Sequence, residues 1–176
     1  MSANVFMKTT GRFVGLVLFQ VLILNYLNIG GHINPMLYIY FILILPFATP
    51  RWLLLMSSFL LGVTIDLFNN TLGLNAAACV MAAFIRSAII NLLTKENEIT
   101  NEEPSLRFQG FIWFLYYSSL LVLIHHMLVF FLEIFTLKEF FTTIIRVLFS
   151  STATIALILL CEIIFMRKER KTIFRK

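Results

Sequence analysis

His125-His126, Glu133, Asp66, Arg86 and Arg146 are the residues of this chain whose types could do chemistry in an apolar setting. An imidazole pair near a carboxylate suggests a metal or proton site. Adjacent helical residues, however, project about 100° apart and cannot easily clasp one ion. Glu133 shares the face of His125 but stands two helical turns away. A zinc-type site needs three or four converging ligands, and this spacing does not supply them. Cys79 and Cys161 both fall in apolar runs and read as small buried hydrophobes rather than as a disulfide or a metal pair. No serine or cysteine has a credible base beside it, and no glycine-rich phosphate loop precedes a helix. The expectation is a protein that is not an enzyme and that has no catalytic residue, metal or cofactor.

The elements that must position these residues are six apolar stretches, expected at Phe13 to Ile29, Ile33 to Ala48, Trp52 to Phe68, Leu74 to Leu93, Gly110 to Phe135 and Phe140 to Met166. A span needs about 20 mostly apolar residues, because the hydrocarbon core is about 30 Å thick and a helix rises 1.5 Å per residue. Six spans use nearly the whole chain, so no extramembrane core is expected. The composition agrees: 60% hydrophobic, 13% charged, 19 phenylalanines and a mean hydropathy of +0.91. The second stretch is the shortest, with Asn34-Pro35 before it and Pro46 near its end. The first follows Lys8 and Arg12 like a signal peptide but ends in Asn25-Tyr-Leu-Asn28 without a small-residue cleavage pattern, and is expected to be a retained helix. Thr94 to Arg107, with Lys95, Glu96, Glu98, Glu102, Glu103 and Pro104, reads as a polar loop. The fold class expected is an all-α integral membrane protein, a single polytopic domain over residues 1–176.

Orientation follows from the 14 Lys and Arg residues, because cytoplasmic loops keep an excess of positive charge. With the amino terminus inside, Lys8, Arg12, Arg51, Lys95, Arg107 and the tail residues Arg167, Lys168, Arg170, Lys171, Arg175 and Lys176 are cytoplasmic. Only Lys138 is outside, while Arg86 and Arg146 lie within spans. Both termini are therefore expected in the cytoplasm, with an even number of crossings. The tail acts as a stop-transfer anchor that could also attract anionic lipid.

An ionisable residue at the centre of a span costs at least about 2.5–3.5 kcal/mol unless paired or solvated. Counting helical rise from the expected ends puts Asp66 and Arg146 both roughly 21 Å from the cytoplasmic edge, His125 at about 22 Å and Arg86 at about 12 Å. Asp66 and Arg146 are thus expected to form an ion pair inside the bundle; the competing arrangement has both snorkel to the outer interface. Ser58, Gly62, Asp66 and Asn70 share one face of the third span. Thr143, Arg146, Ser150 and Ala153 share one of the sixth, and Ala78, Ala82 and Arg86 one of the fourth. Such small or polar faces pack against protein rather than lipid.

Asp66 also belongs to a local pattern. In the run from Leu61 to Ala76, Gly62, Asp66, Leu67, Leu72 and Gly73 form a Gly-x-x-x-Asp-Leu stretch followed by a Leu-Gly pair that opens a helix rich in small residues. Gly73 suits a turn with unusual backbone angles. This pattern resembles the signature of the rod shape-determining protein MreD family. The likeness extends to length, span number, the basic tail and the junction Pro46, Pro50, Arg51, Trp52, and departs in the long acidic loop and the high phenylalanine content. The resemblance implies a multi-pass protein of the bacterial cytoplasmic membrane, without catalysis, in the elongation machinery that patterns peptidoglycan synthesis. It implies MreC as the partner and, indirectly, MreB, RodA and a transpeptidase; membrane lipid is an expected contact and nucleic acid is not. It also implies a fold like that of the substrate-binding subunits of energy-coupling-factor transporters. Gly62, Asp66, Gly73, Arg86 and Arg146 are the candidate structural or partner-binding residues. The alternative function is a substrate-binding membrane subunit of a vitamin-type transporter, with a small-molecule pocket near Asp66, His125 and Arg146.

Overall fold

The computed structural model describes residues 3–26, 33–94, 103–134 and 140–173, with side chains between 7 and 164. The elements are α1 (Ala3–Leu22), prolonged by a 3-10 turn at Leu24–Tyr26; a 3-10 turn at Leu37–Ile39 that runs into α2 (Tyr40–Ile44); α3 (Arg51–Asn69); α4 (Leu74–Leu93); α5 (Leu106–Gln109); α6 (Phe111–Ile134); and α7 (Phe140–Ile173). No strand occurs among the described residues. Five helical segments, Met7–Tyr26, Arg51–Asn69, Leu74–Leu93, Phe111–Ile134 and Phe140–Ile164, are long and apolar enough to cross a membrane. The described residues are mostly helical, and the chain is multi-pass. Its polarity is that of a membrane protein: Phe59, Phe84, Ile112, Phe141 and Leu148 face outward, while Gln20, Asp66, Asn75, Arg86, His125, His126, Ser150, Thr154 and Glu162 are buried.

The second expected span, Ile33 to Ala48, is not a spanning helix. Asn25 Nδ2 donates to Asn69 Oδ1 at 2.6 Å, which brings the carboxyl ends of α1 and α3 together, so these two helices run parallel and the chain between them must return across the bundle. It returns through the irregular residues 33–36 and a short helical run from Leu37 to Ile44. Eight helical residues rise only about 12–16 Å, roughly half the hydrocarbon thickness. Every residue from Leu37 to Leu45 is buried, as backbone that leaves the helical ladder at membrane depth must be. Pro35 and Pro46 explain the break, since each removes an N–H and disfavours helical geometry in the residue before it.

The first span also starts earlier than expected. Lys8 and Arg12 are helical, and both reach Glu103, at 3.1 and 2.8 Å. Nearby, Tyr40 donates to Glu162 Oε1 at 2.6 Å and the Leu106 amide to Glu162 Oε2 at 3.3 Å, tying α2, α5 and α7 at the same end. Of the polar loop and basic tail, Lys95, Glu96, Glu98, Glu102, Arg175 and Lys176 lie outside the described residues, as do Lys138 and the side chains of Arg167, Lys168, Arg170 and Lys171.

Candidate functional site

Gly62, Asp66 and Gly73 come together where α3 turns into α4. A Cβ on Gly62 would collide with the Cα of Ala76 and lie within 2.6 Å of the Ala76 nitrogen and the Asn75 oxygen. Only glycine lets the first turn of α4 lie this close to α3. That approach brings the α4 amino terminus onto Asp66, one turn further along the same face. Gly73 occupies the N-cap position in the left-handed region, with φ 79°, and has no side chain to cap with. Asp66 supplies the cap instead: Oδ1 accepts from the Asn75 amide at 3.0 Å and Oδ2 from the Ala76 amide at 2.9 Å. These are the second and third residues of α4, the donors that an N-cap side chain ordinarily satisfies. Asn75 Nδ2, at 2.8 Å, and the Thr71 hydroxyl also donate to Oδ1, while the Asp66 carbonyl accepts from the amides of Asn70 and Thr71. A buried carboxylate with four donors at the positive end of a helix dipole is fully compensated without a cation.

The same network extends inward. Asn75 has its amide oriented by donating to Asp66 and Thr71, so its Oδ1 accepts from Tyr38 at 2.7 Å. Tyr38 thereby uses its single proton, and at 3.2 Å His125 Nε2–H donates to the phenol oxygen. The other ring nitrogen of His125 is buried without a partner. His126 turns away, donating from Nδ1 to the Val122 carbonyl at 2.9 Å and meeting Thr154 at 3.1 Å through Nε2. The adjacent histidines therefore serve separate seams, and among the described residues no three His, Cys, Asp or Glu side chains converge on one point. Cys79 and Cys161 are both free thiols.

The expected Asp66–Arg146 pair does not form. α3 packs on α4 and α1, α7 packs on α6 and the second crossing, and Asp66 faces α4. Arg146 lies over the Phe130 ring, 4.8 Å from its centroid, and reaches Glu133 at 3.7 Å. Glu133 is about half exposed, so this pair is worth at most about 1 kcal/mol.

Arg86 performs a different task from Asp66. Its Nε donates to the Tyr117 hydroxyl at 2.9 Å, Nη2 to the Leu45 carbonyl, and Tyr117 in turn to the Leu43 carbonyl at 3.0 Å. Arg86 and Tyr117 thus satisfy carbonyls at the carboxyl end of α2, where a cation also complements the dipole. The opposite end is held by Gln20 and Thr154, which sequence reasoning missed, and by Ser150, which it placed only on an inward face of the last span. Gln20 accepts from the Leu37 amide at 2.8 Å and donates to the Pro35 carbonyl at 3.1 Å. The hydroxyls of Ser150 and Thr154 accept from the amides of Asn34 and Met36. The available signal was a glutamine in the middle of the first span and a proline near each end of the second. Asp66 and Arg86 therefore act on backbone, one through a helix start and the other through a helix end, and the arrangement is a set of rigid pins. No protein-family model, curated protein or solved structure matches this chain.

Proposed function

We propose that this chain is a non-catalytic membrane scaffold of the MreD type, which binds MreC in the bacterial cytoplasmic membrane and helps to maintain rod shape by organising peptidoglycan synthesis. The observation that carries this reading is the α3–α4 hairpin. The residues on which the resemblance rests, Gly62, Asp66 and Gly73, are spent on a close helix contact and its cap. A signature used in this way suits a protein whose product is a shape. The carboxylate that a transporter pocket would offer to a ligand is occupied by four donors of its own chain. In this reading the second crossing makes the number of passes six, both termini are cytoplasmic, and the bundle is related to the transporter substrate-binding subunits by fold analogy alone, which does not carry function. Recognition takes place within the bilayer, where outward helix faces hold the membrane helix of MreC and through it position MreB, RodA and the transpeptidase.

The test is a native mass spectrum of the tagged protein, released gently from its own membranes. The expected companion is a single-span protein with a periplasmic domain, lost when Gly62→Ala displaces the hairpin. A bound small molecule or an ATPase module, without such a companion, would replace this reading with the transporter subunit.

A further inference from the structure

The outer side of the α3–α4 pair carries a groove of about 230 Å³ at the end opposite the Asp66 cap. It opens because α4 presents Ala83, Ser87 and Ala88 where α3 presents larger leucines, among them Leu55. Phe84 stands beside it, two-thirds exposed, and Arg51 and Asn91 supply polar groups at the ends of α3 and α4. Arg51 is exposed and differs from the other described cations of known environment. Lys8, Arg12 and Arg146 each face a carboxylate and Arg86 is held by Tyr117 and a carbonyl, whereas Arg51 has no ion pair among the described residues. Trp52, exposed at the same level, is the residue type that sits among lipid headgroups.

We propose that this groove is a binding site for one anionic phospholipid, with an acyl chain between Leu55, Phe84 and Ala88 and the phosphate on Arg51 and Asn91. The lining selects the occupant: Leu54, Leu55, Ala83, Phe84 and Ala88 form an apolar trough that ends at one charged residue, the order of groups that an acyl chain beneath its headgroup presents. Charge selects the headgroup, since the rim offers one uncompensated guanidinium, a preferred partner for phosphate oxygens. The site shares no residue with the hairpin latch, and a lipid count reads it separately from the partner that the scaffold reading expects.

The experiment titrates the full-length protein in detergent with phosphatidylglycerol or phosphatidylcholine of identical chains and counts bound lipids by native mass spectrometry. Wild type is expected to retain one phosphatidylglycerol in preference to phosphatidylcholine. Arg51→Gln should lower the affinity for phosphatidylglycerol about fivefold and leave phosphatidylcholine unchanged. Ala88→Leu, which fills the groove from an exposed position, should weaken both lipids. Equal retention of the two lipids by wild type, or unaltered phosphatidylglycerol binding by Arg51→Gln, would overturn the proposal. So would a dimer or a bound protein that Ala88→Leu abolishes in place of the lipid.

Discussion

Asp66 shows how a buried charge is satisfied without a counter-ion. Its oxygens take hydrogen bonds from Thr71, from both nitrogens of Asn75 and from the Ala76 amide, so changing it to asparagine turns an NH2 group against an N–H donor. Asp66→Asn should therefore destabilise the protein by about 2 kcal/mol, read from unfolding in mixed detergent micelles. Arg146→Gln should cost less than about 1 kcal/mol. The double variant should equal the sum of the two within about 0.5 kcal/mol; a larger coupling would restore the ion pair expected from their matching depth. Gly62→Ala meets backbone rather than a movable side chain, and is expected to lose at least about 1–3 kcal/mol. The shared face of Gly62 and Asp66 was legible from their four-residue spacing. The partner of Asp66 was not, because depth along a helix says nothing about which neighbour a side chain faces.

At the scale of elements, the second crossing is the unusual piece. It is short, buried and interrupted, and side chains from α1, α4, α6 and α7 satisfy its backbone. Removing one leaves a buried polar group unpaired, at about 1–3 kcal/mol. Arg86→Leu and Gln20→Leu should each raise amide exchange over Leu37–Leu45 by roughly tenfold, measured by mass spectrometry in nanodiscs. Arg146→Gln is the control and should leave that segment protected. The α4 helix spans the residues that apolar length alone assigned, Leu74–Leu93. α1 departs from its expected start because Lys8 and Arg12 find Glu103, far along the chain.

At the scale of the molecule, topology turns on the interrupted segment from Leu37 to Leu45. Thr10 and Phe108 should lie on one side of the membrane and Leu72 on the other, since α1 and α3 run parallel while Glu103 meets the start of α1. In a background without Cys79 and Cys161, Thr10→Cys and Phe108→Cys are expected to react with an impermeant thiol reagent from the same side, and Leu72→Cys from the opposite one. Labelling of Thr10→Cys and Phe108→Cys from different faces would mean that residues 33–50 do not cross.

By itself the sequence determined that this chain belongs in a membrane, where most of its helices begin and end, and which face of α3 is turned inward. Apolar length and helical spacing are properties of neighbouring residues, and no distant contact is needed to express them. Only the tertiary structure decided that one crossing is not a helix, that Asp66 caps α4, and that Arg86 holds the end of α2. Each depends on a hydrogen bond between residues far apart in the chain or across a turn, made because a buried polar group in hydrocarbon accepts the nearest partner that packing provides.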